Sequence, residues 1–143
     1  MATNAFLGSG ATLSVGDTSG ATNLVAISEV KSLSGPSAST PQIACTHFGS
    51  ASEEYISGLA SQGTISVTCN FDPSAASQFT AAKGILGEFT AKTVRYWRIQ
   101  WNDSGNTTAT FQAFVSSRSI ETPANGAVEL SFDLTVSGGV TFA

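Results

Sequence analysis

Cys45 and His47 stand two residues apart, and a thiol near an imidazole invites a reading as a nucleophile and its base. His47 is the single histidine, so any Ser/His/Asp triad would have to be built around it. No G-x-S-x-G elbow is present. Cys45, His47 and Cys69 offer at most three metal ligands, and their spacing fits no zinc pattern. The adjacent Glu53 and Glu54 have the residue types of a glycosidase acid pair. On a polar stretch, however, they read more simply as solvated carboxylates or as partners for a basic group. Arg95-Tyr96-Trp97-Arg98 interleaves cations with aromatics, as single-strand nucleic-acid binders do. The formal net charge of −4 argues against phosphate binding. In a strand, Arg95 and Trp97 share one face and Tyr96 and Arg98 the other, which suits a core strand with snorkelling arginines. The sequence is therefore expected to encode no enzyme and to hold no metal or cofactor. Cys45 and Cys69 are read as reduced, buried thiols acting as small apolar side chains, because a disulfide requires an oxidising compartment.

The elements that would position these residues begin with composition. A chain of 143 residues suits one domain, 1–143, with a sizeable core. Only 11% of residues are charged, against roughly 25% in an average soluble domain, so much of the surface is neutral and suited to burial against other subunits. The six basic residues form no run. Met1 to Gly8 lacks the basic region and apolar stretch of a signal peptide. No window approaches the roughly 18 apolar residues of a membrane span, so no membrane partner is expected and synthesis in a cytoplasm is.

Hydrophobic periodicity predicts a mainly β, sandwich or barrel-like single domain with one helix. Residues 1–12 read as an N-terminal arm jointed at Gly8-Ser9-Gly10, and Ala11 to Val15 as a short strand. Residues 22–33 read as one strand, apolar on both faces. Gln42 to Thr46 is another, followed by a long loop over 47–62. Residues 64–71 alternate, with Ile65, Val67, Cys69 and Phe71 opposite Thr64, Ser66, Thr68 and Asn70. Asp72-Pro73 opens a helix over about 73–86, with Ala75, Phe79, Ala82 and Leu86 on one face and Gly87 closing it. Strands follow at 92–101 and 108–119, and Asn125-Gly126 signals a hairpin. The last strand sets Val128, Leu130, Phe132, Leu134 and Val136 against Glu129, Ser131, Asp133 and Thr135. Gly138-Gly139 is expected to break it, leaving a C-terminal tail, 137–143.

The loop is too long for a plain hairpin connection. It reads T-x-x-x-S-x-x-x-E-x-I-x-G-L-x-x-x-G-x-I-x-V from Thr46 to Val67. With Glu29-Val30-Lys31-Ser32-Leu33-Ser34-Gly35-Pro36 before it and Glu129-Leu130-Ser131-Phe132-Asp133-Leu134-Thr135-Val136-Ser137-Gly138 at the end, it resembles the tail tube (major tail) proteins of long-tailed bacteriophages, lambda-like family. The ordered set covers most of the chain. Some members carry a further C-terminal immunoglobulin-like domain, which no segment here matches.

That resemblance implies a structural virion protein, assembled in a bacterial cytoplasm into stacked hexameric rings whose bore conducts DNA. It implies tape-measure, tail-tip and tail-terminator partners. Phe6 and Leu7 of the arm, with Glu53, Glu54, Tyr55, Ile56 and Leu59 of the loop, are the expected contacts between subunits. The polar strand faces, Glu129, Ser131 and Asp133 or Thr64, Ser66 and Thr68, are the candidates for lining the bore. The competing class is a carbohydrate-binding or adhesive β-sandwich using Tyr96, Trp97 or Trp101 as an aromatic platform.

Overall fold

The computed structural model describes residues 3–80 and 82–143; the first two residues of the expected arm lie outside them. Nine strands and two helices follow in order: β1 (Thr12–Val15), β2 (Val25–Ala26), β3 (Val30–Ser34), β4 (Gln42–Ala44), β5 (Tyr55–Ser57), β6 (Thr64–Asn70), α1 (Ala76–Phe79), α2 (Ile85–Ala91), β7 (Arg95–Gln100), β8 (Thr108–Glu121) and β9 (Glu129–Phe142). Seven strands form one antiparallel sheet in the order β2-β1-β7-β8-β9-β6-β3, and β4 and β5 form a separate ribbon.

One connection forces this sheet to curl. The edge strands β2 and β3 are joined by only Ile27, Ser28 and Glu29, and such a link spans at most about 14 Å. Seven strands laid flat would hold their outer edges about 29 Å apart. The sheet therefore bends into a half-barrel whose edges nearly meet. The expected single strand over 22–33 is corrected here: Glu29 adopts φ 61°, and the two halves pair with opposite edges, Val25–Ala26 on β1 and Val30–Ser34 on β6. Ile27 is buried at the crossing and its N–H donates to the Leu13 carbonyl at 2.8 Å.

The concave face is the core. Leu13, Trp97, Ile99, Phe111, Ile65 and Val67 are buried there with Leu130, Phe132 and Leu134; those from β6 and β9 belong to the alternating apolar faces read from the sequence. Trp97 lies 6.5 Å from Phe132, centroid to centroid. Barrel-like, mainly β architecture is thus as expected.

The helical segment differs from expectation. It is two short helices, and Gly87 lies inside α2, which ends at Lys92 in the left-handed conformation (φ 56°). Asp72 does not cap a helix: its carboxylate accepts the N–H and hydroxyl of Ser74, and α1 starts from Ala75 with no side-chain cap. Phe79, placed on the buried face by periodicity, is exposed. The break lies between Thr80, which is extended (ψ 158°), and Lys83, which takes φ 63°. The Lys83 Nζ bonds the Asn23 carbonyl at 2.7 Å and pairs with Asp17 at 2.9 Å, anchoring the connection to the β1–β2 loop.

Gly138-Gly139 does not end β9. Gly138 (φ 89°) opens a bulge in which residues 138–140 oppose Phe111 alone, between the pairs Gln112↔Ser137 and Thr110↔Thr141. The expected tail is strand up to Phe142, which stacks on Trp101 at 6.3 Å and 11°.

Candidate assembly surfaces

Two surfaces collect the residues the sequence nominated. The first is the expected loop over 47–62, which is partly a ribbon. Gln42↔Ser57, Ile43↔Ile56 and Ala44↔Tyr55 pair antiparallel, and Ser39 and Ser61 bridge its base with mutual N–H···O=C bonds of 2.9 and 2.7 Å. Its tip is held by local polar contacts. Glu54 N–H donates to Thr46 Oγ1 at 2.9 Å, and Ser50 Oγ donates to Glu54 Oε2 at 2.7 Å. Gly49 N–H donates to His47 Nδ1 at 3.0 Å. Tyr55 donates its hydroxyl to Glu53 Oε2 at 2.8 Å, and that bond to a carboxylate raises the phenol pKa. Every residue of both ribbon strands is exposed. Ile43 and Ile56 lie opposite each other on one face, each about half exposed, and Leu59 is 93% exposed. Phe48, at the tip, has no cover at all. An isolated two-stranded ribbon is marginal in water.

Glu53, Glu54, Tyr55, Ile56 and Leu59 thus share one projection. Phe6 and Leu7 are exposed on the arm, a separate segment. Sequence reasoning did not single out Phe48 or Ile43. The signal for Ile43 was its register with Ile56, which appears only once the ribbon is paired.

The second surface is the outer face of the sheet. Register places the two nominated strand faces side by side: Thr64↔Thr135, Ser66↔Asp133, Thr68↔Ser131 and Asn70↔Glu129. β3 and β8 extend these rows, giving Ser34-Ser66-Asp133-Ser117 and Ser32-Thr68-Ser131-Ser119, with Glu121 beside Glu129. Ser117 Oγ donates to Asp133 Oδ2 at 3.0 Å. Lys31, in a bulge of β3, ion-pairs with Glu129. The face is a field of small hydroxyls, with Glu121 and Glu129 together at one end, Asp133 two rows away and Lys31 beside Glu129; Arg98 of β7 lies further along the same face.

No chemistry assembles around the cysteines. Cys45 is exposed at the tip end of the ribbon, contrary to its expected burial, because β4 has no sheet above it; Cys69 is buried in the core. Burial, helped by the Glu29 charge, pushes the Cys69 thiol up to about 11 and keeps it protonated. Among the described residues, no group of three His, Cys, Asp or Glu side chains could hold a metal, and no helix is long and apolar enough to cross a membrane. The proposed aromatic platform is not one. Trp97 is buried with Nε1–H on the Ala113 carbonyl at 3.2 Å, Trp101 is covered by Phe142, and the Tyr96 hydroxyl accepts from Gln112.

A half-barrel with a hydroxyl-lined outer face and an uncovered projecting ribbon defines a subunit shaped for self-association. The sequence profile of the family described as "phage tail tube, TTP, lambda-like" matches residues 5–107, and the chain belongs to that family. It is accordingly a structural protein of the virion tail, not an enzyme. No curated protein matches it in sequence. Several solved structures share its fold. One chain from the tail of an empty gene transfer agent particle superposes with a TM-score of 0.72 at 16% identity, covering 92% of this chain and 95% of that one. The SPP1 tail tube gives a TM-score of 0.72 at 14% identity, covering 96% and 78%. A chain from the anti-feeding prophage baseplate gives 0.73 at 10% identity, covering 100% and 97%.

Proposed function

We propose that the chain polymerises into hexameric rings that stack as a hollow tube, and that the outer sheet face, with Thr64, Ser66, Thr68, Glu129, Ser131 and Asp133, lines a bore through which DNA passes. The observation that carries this reading is the β4–β5 ribbon, a projection on which Phe48 and Leu59 are bare and Ile43 and Ile56 about half exposed in their own chain. Burying Ile56 and Leu59 against a neighbouring subunit contributes roughly 1.5–3 kcal/mol each. Six-fold symmetry is supported by the gene transfer agent tail, refined with C6 symmetry. Partners at the tube ends are supported by similar chains in a baseplate, a sheath/tube terminator and a tube-terminating cap. A tape-measure protein inside the tube and the arm residues Phe6 and Leu7 at the subunit interface complete the proposal. A hydroxyl-rich, acidic lining suits passage because phosphates meet few cations that would hold them. Negative-stain microscopy of the purified protein tests the reading. Rings or tubes are expected, and the Ile56→Ser, Leu59→Ser double variant should remain a folded monomer. A wild-type protein that stays monomeric in sedimentation at high concentration and every salt condition overturns it.

A further inference from the structure

β8 outruns the strand that flanks it. β7 begins at Arg95, opposite Ala113, while β8 continues to Glu121. From Phe114 onward β8 has no β7 residue beside it. α2 packs on β8 at this overhang, and a cleft of about 470 Å3 opens there, lined by Phe89, Lys92, Val94, Phe114, Val115 and Ser116. Its wall is mostly apolar and Val94 is exposed within it.

Two cations stand at the cleft. Lys92 lines it, and the Arg118 guanidinium lies 5.1 Å from the centroid of the Phe89 ring. Among the described residues neither has a carboxylate within ion-pair distance, whereas Lys31, Lys83 and Arg95 each have one. The ribbon tip is the complement of this surface: a bare aromatic, Phe48, flanked by the exposed carboxylates Glu53 and Glu54. Charge distinguishes it from the exposed apolar arm, because the segment around Phe6 and Leu7 carries no acidic residue. Phe48 is fully uncovered in its own chain, so the tip is not already seated.

We infer that the cleft between α2 and the β8 overhang receives the ribbon tip of a second copy, with Phe48 on Phe89, Val94 and Phe114 and with Glu53 and Glu54 facing Lys92 and Arg118. This rests on the self-assembly proposed above and names the two surfaces that meet. The contact joins one patch to a different patch, so it repeats from copy to copy and propagates a ring or a stack. The aromatic supplies apolar burial, and the charges set register and exclude wrong partners.

Charge exchange tests the pairing. Glu53→Lys with Glu54→Lys, or Lys92→Glu with Arg118→Glu, sets like charges face to face and should raise the concentration needed for assembly by about tenfold or more. The quadruple variant restores opposite charges and should assemble like the wild type, while circular dichroism confirms that all variants fold. A second measurement mixes two populations in a Cys45→Ser background, one tagged and carrying Ala51→Cys, the other carrying Ser116→Cys. A short bismaleimide should join tagged to untagged chains. If the wild type assembles but charge reversal on one side changes nothing, or the quadruple variant fails to recover, or no mixed crosslink forms, the pairing is wrong although the tube reading stands. Crosslinking of Ser116→Cys to a cysteine placed at Leu7 instead would assign the cleft to the arm. A wild type that never assembles sinks the tube reading itself.

Discussion

Asp17 ties the β1–β2 loop to the connection between α1 and α2. Its carboxylate accepts from Thr22 Oγ1 at 2.9 Å and Asn23 Nδ2 at 2.7 Å, and it pairs with Lys83 at 2.9 Å. The Lys83 hydrogen bond first, then those of Asn23 and Thr22, lowers its pKa from 3.8 to about 2. The folded state therefore binds fewer protons than the unfolded chain as acid is added, and the stabilisation is full above about pH 4 and lost as the pH falls through 2. The melting-temperature gap between the wild type and Asp17→Asn should be widest above pH 4 and close toward pH 2. A gap that is constant across this range would mean that the carboxylate's charge is not what matters. None of this was visible in the sequence, where Asp17 is one turn residue in Gly16-Asp17-Thr18-Ser19-Gly20 and Lys83 one exposed helical position. Their meeting depends on a separation in the fold that local pattern does not encode.

At the scale of elements, α2 is fastened to β7 by one buried ion pair. Glu88 is 2% exposed, and its Oε1 accepts from Arg95 Nε at 2.6 Å and from the Lys83 N–H at 2.8 Å; Oε2 is buried without a partner. Removing one member of such a pair leaves an uncompensated charge in the core. Glu88→Ala is expected to cost about 3–5 kcal/mol in urea unfolding, while replacing both groups, Glu88→Leu with Arg95→Met, should cost far less. Equal losses in the single and double variants would show that packing, not the pair, sets the cost. The contrast between strands and helices explains what the sequence could reveal. β6 and β9 were legible residue by residue because each has one face in the core, and a period of two records that directly. The helical segment was misread because Lys83 and Glu88 answer to partners in other elements. Arg95 was read as a snorkelling side chain for the same reason: its carboxylate lies on an element whose position the periodicity could not place. The cleft at α2 was invisible too, since it exists only where β7 stops short of β8.

For the whole molecule, register decides what the outer face presents. Ser66 beside Asp133 and Thr68 beside Ser131 make one continuous hydroxyl and carboxylate surface from strands the sequence could nominate only separately. Its acidity is uneven, because Lys31 already pairs with Glu129 whereas Asp133 is met only by the Ser117 hydroxyl. Substituting Glu129 would strand Lys31 as well as change the face, so Asp133 is the cleaner probe of the bore proposal. Asp133→Lys, repeated around each ring of a stacked tube, would place cations along the path of the DNA. Virions built with this variant should assemble normally and eject DNA more slowly, and added salt should relieve the slowing as it screens phosphate contacts. Ejection from intact Asp133→Lys particles at the wild-type rate, at every salt concentration, would put this face on the outside of the tube.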